Sequence, residues 1–276
     1  MTEMERAFED RFGLASENPA LGSLPAGLSQ VLSRRTHRHY EEKKVDLNDL
    51  YALIAIALAA SSKSDFQQAS VIIVDNADHR AAIGAKFPAM PWIGSSPAFL
   101  LFCGDTLRLE EIGDMRGHKV KNRAIEGFLN AAVDAALVMQ TLILAAERMG
   151  LGCCPISVIR NQASAVAQIL GLPAGVFPVA GLCIGYPARE GHISMRLPMS
   201  VTVHKDRYDN SKAAAEVRAY DVRREARHPT PASAQRDVAQ FGTAGEYGWS
   251  EDKARQAADP EGEPFARYLL ESGFKF

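Results

Sequence analysis

The seven residues Arg34-Arg35-Thr36-His37-Arg38-His39-Tyr40 are dense in side chains able to do chemistry, with three guanidiniums and a hydroxyl between positions 34 and 38. Guanidinium forks match phosphate oxygens two bonds at a time, and each charge-assisted bond contributes roughly 1.5–3 kcal/mol, so this cluster can cradle a phosphate. It can equally form a solvated basic surface for nucleic acid or an acidic partner, and the cluster alone does not choose. His37 and His39 stand two apart as conceivable metal ligands, but no third ligand lies at a helpful spacing and no metal is expected. Cys103, Cys153, Cys154 and Cys183 sit in apolar runs without paired ligand spacing and read as buried free thiols. No GxGxxG or GxxxxGK[ST] fingerprint follows a strand, and neither a GxSxG elbow nor an HExxH helix occurs, which argues against Rossmann, P-loop, hydrolase and zincin chemistry.

The elements that must position these residues follow from pattern. At 276 residues, 47% hydrophobic and 23% charged, the chain has globular composition, and a net charge of −2 gives no global footprint for nucleic acid or anionic membrane. The N-terminus is acidic and amphipathic rather than a secretory signal, and the apolar stretch 50–60 is too short to span a bilayer, so a cytoplasmic protein is expected. A short helix and a Gly/Pro-broken arm occupy residues 1–27, and helical turns over 28–33 deliver the arginine cluster. Asp46 caps a helix through 60, which ends in the polar loop 61–65. Strands are predicted at 70–74, 97–103, 176–186 and 197–204, and a helix at 161–170. The helix 124–149 carries Asn130, Asp134, Thr141 and Arg148 on one narrow stripe and is otherwise apolar, so its own domain or another subunit must cover it nearly all round. Helices resume after 208, loosen around 228–231 and continue to 270. Strands and helices do not alternate strictly, which predicts a mixed α+β layer.

Arg34-Arg35-Thr36-His37-Arg38-His39-Tyr40 resembles the Arg-Arg-Ser-Ile-Arg-x-Phe/Tyr entry motif of the nitroreductase family of flavoproteins. Further segments match in order: the serine-rich loop Ser61-Ser62-Lys63-Ser64-Asp65-Phe66-Gln67, the helix from Asp134 through Gln140 to Gly150-Leu151-Gly152, and Ile156-Ser157-Val158-Ile159-Arg160-Asn161. Gly181-Leu182-Cys183-Ile184-Gly185-Tyr186-Pro187 and Arg196-Leu197-Pro198 follow, and Trp249-Ser250, Pro264-Phe265 and Tyr268-Leu269 echo a C-terminal tail. The resemblance points to the NADPH-dependent oxygen-insensitive nitroreductase and flavin-reductase branch. It implies an α+β nitroreductase-like fold, with a central, mostly antiparallel sheet flanked by helices, in an intertwined homodimer. The implied domains are an arm at 1–27, an FMN-binding core at 28–206 and an extension at 207–276 that wraps the dimer.

Carried onto this chain, the resemblance assigns Arg34, Arg35, Thr36 and Arg38 to the FMN phosphate, ribityl chain and pyrimidine edge, with Arg38 stabilising the reduced, anionic ring. Ser61, Ser62, Lys63, Ser64 and Gln67 come from the second subunit. Pro155, Ile156, Ser157 and Val158 lie along the ring, with a backbone N–H near N5, and Arg196 closes the phosphate pocket. No side chain is assigned a catalytic role, because flavin N5 carries hydride from NAD(P)H to nitroaromatics, quinones or flavins in a ping-pong cycle. The chain also departs from the pattern. Ser194 replaces a lysine, Lys63 replaces a serine and can compensate for it, Ser157 and Val158 replace glycines and narrow the ring face, and Met90 replaces a glutamine. Trp92 is either a core residue or a stacking aromatic. One alternative is a specialised member performing reductive dehalogenation, dehydrogenation or flavin fragmentation, with 105–123 as a lid or else a charged surface helix. An alternative of another class is a non-catalytic nucleotide- or nucleic-acid-binding protein, which the apolar central helix and near-neutral charge disfavour.

Overall fold

The computed structural model describes residues 1–276. In chain order its main elements are α1 (Glu3–Phe12), α2 (Leu47–Ala57), β1 (Ala69–Ile73), α3 (Ala77–Ala85), β2 (Ala98–Asp105), α4 (Leu107–Arg116), α5 (Ile125–Arg148), β3 (Gly152–Ile156), α6 (Ala163–Leu170), β4 (Val176–Gly185), α7 (Ala213–Arg227), α8 (Trp249–Ala258) and α9 (Glu263–Glu271). They fall into two units, each discontinuous in sequence: Met1–Arg34 with His192–Glu261, and Arg35–Gly191 with Gly262–Phe276.

The second unit holds a four-stranded sheet in the order β1-β2-β4-β3, antiparallel throughout, so the expected α+β class and sheet type are observed. β2 and β4 are its central strands and read as nearly unbroken apolar runs because both faces are covered. Side chains alternate between faces. Leu100, Phe102, Leu182 and Ile184 pack with Leu53 of α2 and with Val138, Leu142 and Ile143 of α5. Phe99, Leu101, Cys103 and Cys183 pack on the other face with Ile83 of α3, with Ile159 in the helical turns at Ser157–Gln162 and with Val166 of α6. Asp46 does cap α2, accepting from the Asn48 N–H at 2.7 Å. All four cysteines are free and buried, and burial pushes the thiols of Cys103 and Cys183 up to about 12, which keeps them protonated and inert.

α5 spans 24 residues, and two of its sides are apolar. Ala131, Ala135, Val138, Leu142, Ile143 and Ala146 are buried inside the unit, whereas Ile125, Leu129, Val133 and Leu137, each four residues apart, are exposed. By length and composition α5 could cross a membrane, a candidate longer than the stretch 50–60. Its packing on the sheet identifies it as a core helix. The polar stripe expected on α5 divides: Asp134 is buried, while Asn130 reaches back towards Glu126 and the Thr141 hydroxyl bonds the Leu137 carbonyl at 2.9 Å.

In the first unit, α1 opens with a capping box between Thr2 and Glu5 and closes on Gly13, whose left-handed φ of 69° suits glycine. Met4, Ala7 and Arg11 form its buried face. Tyr220 of α7 is buried, meets Trp249 edge-on at 5.7 Å, and donates to the Met195 carbonyl at 3.1 Å. The strand predicted at 197–204 is instead a helical turn, Met199–Thr202, closed by the Val203 N–H on the Met199 carbonyl at 2.8 Å. Pro198 explains the error, since its fixed φ suits the start of a turn and local bonds then take up the backbone groups that a strand would pair across a sheet.

At Gly181 of β4, a Cβ would stand 2.5 Å from the Phe99 ring that fills its place. Gly181→Ala should therefore destabilise the protein by about 1–3 kcal/mol through overpacking. Urea unfolding checks this, and adding Phe99→Leu should recover part of the loss, because the two changes share one volume.

Candidate functional site

Residues separated by well over one hundred positions meet at the β3 edge of the sheet. Thr36 forms an isolated parallel bridge to Cys153, and the His37 N–H donates to the Cys153 carbonyl at 3.0 Å. The Tyr40 hydroxyl then donates to the carbonyls of His37 at 2.6 Å and Cys183 at 3.3 Å. Burial raises the Tyr40 pKa far above its usual value, so the hydroxyl stays a donor. Segment 35–40 is thereby fixed alongside β3, close to the 155–158 turn. His37 packs where Gly152 lacks a side chain, 2.7 Å from the Cβ position, which gives it a packing role. Arg35 pairs with Glu190 and bonds the Gly191 carbonyl at 3.0 Å. Exposed Arg38 lies with its guanidinium carbon 5.6 Å from the centre of the half-buried Trp92 ring. Trp92 packs against the second core cluster, yet its indole N–H is buried without a hydrogen-bond partner. Among 155–158, Pro155 and Ser157 are exposed and Val158 is half-buried, whereas the Ile156 side chain belongs to the core, leaving only its backbone to meet a ligand.

The serine-rich loop is held elsewhere. Asp134, buried on α5, accepts from the Ser62 hydroxyl at 2.7 Å and from the N–H groups of Lys63 and Gln68 at 3.0 Å each. The Ser62 oxygen in turn accepts from the Gln67 N–H at 2.7 Å. Ser64, Asp65 and Gln67 adopt left-handed φ values of 49°, 59° and 52°, a conformation non-glycine residues rarely occupy and which must be imposed by such anchors. Arg108 adds another, bonding the Gln67 carbonyl, the Ser70 hydroxyl at 2.7 Å and Asp105 at 2.9 Å. Arg123 pairs with Glu110 at 2.7 Å, so within 105–123 the charged helix α4 and the non-helical segment that follows it are tied together, Arg108 holding the helix start and Arg123 the far end. Ser61, Lys63 and Ser64 are exposed.

The two groups flank opposite edges of one sheet, since the loop leads into β1 while segment 35–38 lies along β3. At roughly 4.8 Å per strand spacing, the outer strands stand about 14 Å apart. One protomer therefore does not bring the serine loop onto the arginine cluster.

Arg34 and Arg196 lie in the first unit, where the guanidinium of Arg11 donates to the carbonyls of Leu32 at 2.8 Å, Ser194 at 2.6 Å and Arg34. The Arg196 N–H donates to the Arg11 carbonyl at 2.8 Å. Asp134, Arg108 and Arg11 were not foreseen as supports of the candidate residues. Only the isolated carboxylate on the apolar α5 was a usable signal, because the partners of the two arginines lie far away in sequence.

Residues 31–186 match the Nitroreductase family, and residues 194–276 match the Nitroreductase family, C-terminal domain. The chain is 32% identical over 197 residues to an FMN reductase [NAD(P)H] of Bacillus subtilis, covering 70% of this chain and 79% of that protein. It is also 32% identical over 178 residues to an oxygen-insensitive NADPH nitroreductase of Salmonella typhimurium, covering 64% and 72%. The structure of B. megaterium NfrA2 superposes with a TM-score of 0.82 at 25% identity, over 92% of this chain and 99% of that one.

Asp134→Ala should leave the Ser62 hydroxyl and the Lys63 and Gln68 N–H groups without their acceptor, at about 1–3 kcal/mol for each donor left buried. Amide hydrogen exchange across 62–68 should accelerate at least tenfold, while β2 and β4 amides slow or accelerate only with global stability.

Proposed function

Because the chain belongs to the nitroreductase family and is an NAD(P)H-dependent FMN oxidoreductase, we propose that it takes hydride from NAD(P)H onto bound FMN and returns two electrons to nitroaromatics, quinones or free flavins in ping-pong turnover. The observation that supports this is the Thr36–Cys153 bridge, which lays the arginine-bearing segment along β3, the strand that carries the exposed Pro155 and runs on to the exposed Ser157. The donor set fits FMN: guanidiniums for a phosphate, hydroxyls for the ribityl chain, and a positive charge at the ring.

In this proposal Arg34, Arg35 and Arg196 neutralise the phosphate, Thr36 bonds the ribityl chain, and Arg38 faces the pyrimidine edge, braced by Trp92. Residues 155–158 supply a flat rim, with Ser157 narrowing access to it. Ser61, Ser62, Lys63, Ser64 and Gln67 contribute from a partner subunit. The four reduced thiols suit a cytoplasmic setting.

The exposed apolar stripe of Ile125, Leu129, Val133 and Leu137 supports homodimerisation, as do exposed Tyr51, Ile56 and Leu58 on and just after α2. A second copy covers this stripe, with each fully buried side chain of this size contributing about 1.5–3 kcal/mol. In this proposal the same contact brings one subunit's serine loop to the other's arginine cluster.

The purified protein should be yellow and release FMN on denaturation. NADPH should bleach it, and initial rates with NADPH and a quinone should give parallel double-reciprocal lines. A protein that takes up no FMN overturns the proposal. Arg38→Ala should weaken FMN binding roughly 10–100-fold, the loss of one charge-assisted contact. Equilibrium fluorescence quenching measures it. Val133→Glu should convert the dimer to monomer in light scattering and abolish FMN retention; a flavin-loaded monomer contradicts the shared site.

A further inference from the structure

Residues 1–30, α1 among them, lie outside both matched ranges. The buried face of α1 ends in Arg11, only 6% exposed, a degree of burial that charged side chains rarely reach without a structural or functional cause. We propose that Arg11 is a positioning residue for Arg34 and Arg196, holding both as a preformed phosphate clamp. The inference rests on the reading that these two arginines take the FMN phosphate.

The geometry is specific to a guanidinium. One end of the fork bonds the carbonyls of Leu32 and Arg34, and another N–H bonds the Ser194 carbonyl, although the two segments lie some 160 residues apart in sequence. The Arg34 carbonyl belongs to the peptide that leads into Arg35, so fixing it sets the direction in which the arginine run leaves the helical turn. On the other segment the bond runs both ways: Arg11 donates to Ser194, and its own carbonyl accepts from the Arg196 N–H. The Arg196 guanidinium folds back onto the Ser194 carbonyl at 3.1 Å, the same oxygen that Arg11 holds. Met195 is pinned between them, its side chain seated at Gly13, where a Cβ would stand 2.2 Å from the methyl, and its carbonyl bonded by Tyr220. Each backbone that carries a proposed phosphate ligand is thus referred to one side chain. A lysine supplies a point charge with no planar fork and cannot hold both segments in one geometry. Preformed ligands bind phosphate without the entropy loss of ordering two flexible segments.

The test compares FMN with riboflavin, the same ring and ribityl chain without the phosphate, on the full-length protein stripped of flavin. Dissociation constants and thermal midpoints are measured for the unmodified chain, Arg11→Met, Arg11→Lys, Arg34→Ala and Arg196→Ala. The expected result is a strong FMN preference in the unmodified protein that both Arg11 variants reduce about 10–100-fold, with riboflavin affinity changed less than about threefold. Loss of affinity for both ligands alike makes Arg11 merely structural and overturns the proposal, as does an undiminished FMN preference in Arg11→Met. Full recovery in Arg11→Lys also overturns it, because charge rather than positioning would then explain the effect. If Arg11→Met does not fold, Arg11→Lys alone decides between lost and retained preference. Absence of any FMN preference in the unmodified protein, or its persistence in both Arg34→Ala and Arg196→Ala, is the distinct signature that the phosphate assignment itself is wrong.

Discussion

The two-sided apolarity of α5 constrains everything around it. One side seals the sheet, with Val138, Leu142 and Ile143 against Leu100, Phe102 and Leu182. The opposite side presents Ile125, Leu129, Val133 and Leu137 to the outside, an apolar stripe at helical spacing of the kind that marks interaction surfaces. Between these sides sits Asp134, and a buried carboxylate has to be satisfied by several donors at once. The 62–68 loop supplies them, and in doing so accepts three left-handed residues that its own side chains do not favour. Loop shape and sheet packing are therefore consequences of one helix, and the proposed dimer rests on the same element.

Arginine does a second kind of structural work throughout the chain. Arg108 holds the carbonyls of Gln67 and Ala69, Arg123 that of Ser272, Arg160 that of Val179, and Arg255 those of Arg236 and Gly242. Their acceptors lie in irregular segments, at the start of β1 (Ala69) or at the register shift of β4 (Val179), and holding them is a task suited to a planar group with five donors. The near-neutral net charge of −2 hides this division of labour. A basic residue count reports neither which guanidiniums clamp backbone nor which, such as exposed Arg38 beside Trp92, stay at the surface.

What could be read from the sequence divides along the same physical line. β2 and β4 were readable because burial on both faces leaves apolar runs bounded by turns, and α5 because a helical period sustained over 24 residues is a strong signal. The arginine motif was readable by resemblance, while its chemistry alone left a solvated surface equally open. The 197–204 segment misled because Met199, Val201 and Val203 alternate like a strand, and only the turn initiated at Pro198 reveals otherwise. Arg11 was unreadable in principle: its acceptors at 194 and 34 are brought together by folding, and nothing local to α1 distinguishes it from an ordinary last-turn cation.

Opposite-edge placement has a thermodynamic consequence for the proposed shared site. With the serine loop at the β1 edge and the arginine cluster at the β3 edge, one protomer supplies only part of the donor set. A flavin bound across two protomers interacts with the dimer and much less with either half, so it stabilises association by mass action, about 2.7 kcal/mol at a hundredfold excess over its dissociation constant. Linkage makes the relation reciprocal: covering the α5 stripe raises flavin affinity by the same factor by which flavin strengthens the pair. In the proposed dimer the apolar stripe and the charged cluster, which share no residue, act as one cooperative system, so that the apolar face of α5 is expected to set cofactor affinity alongside the arginines.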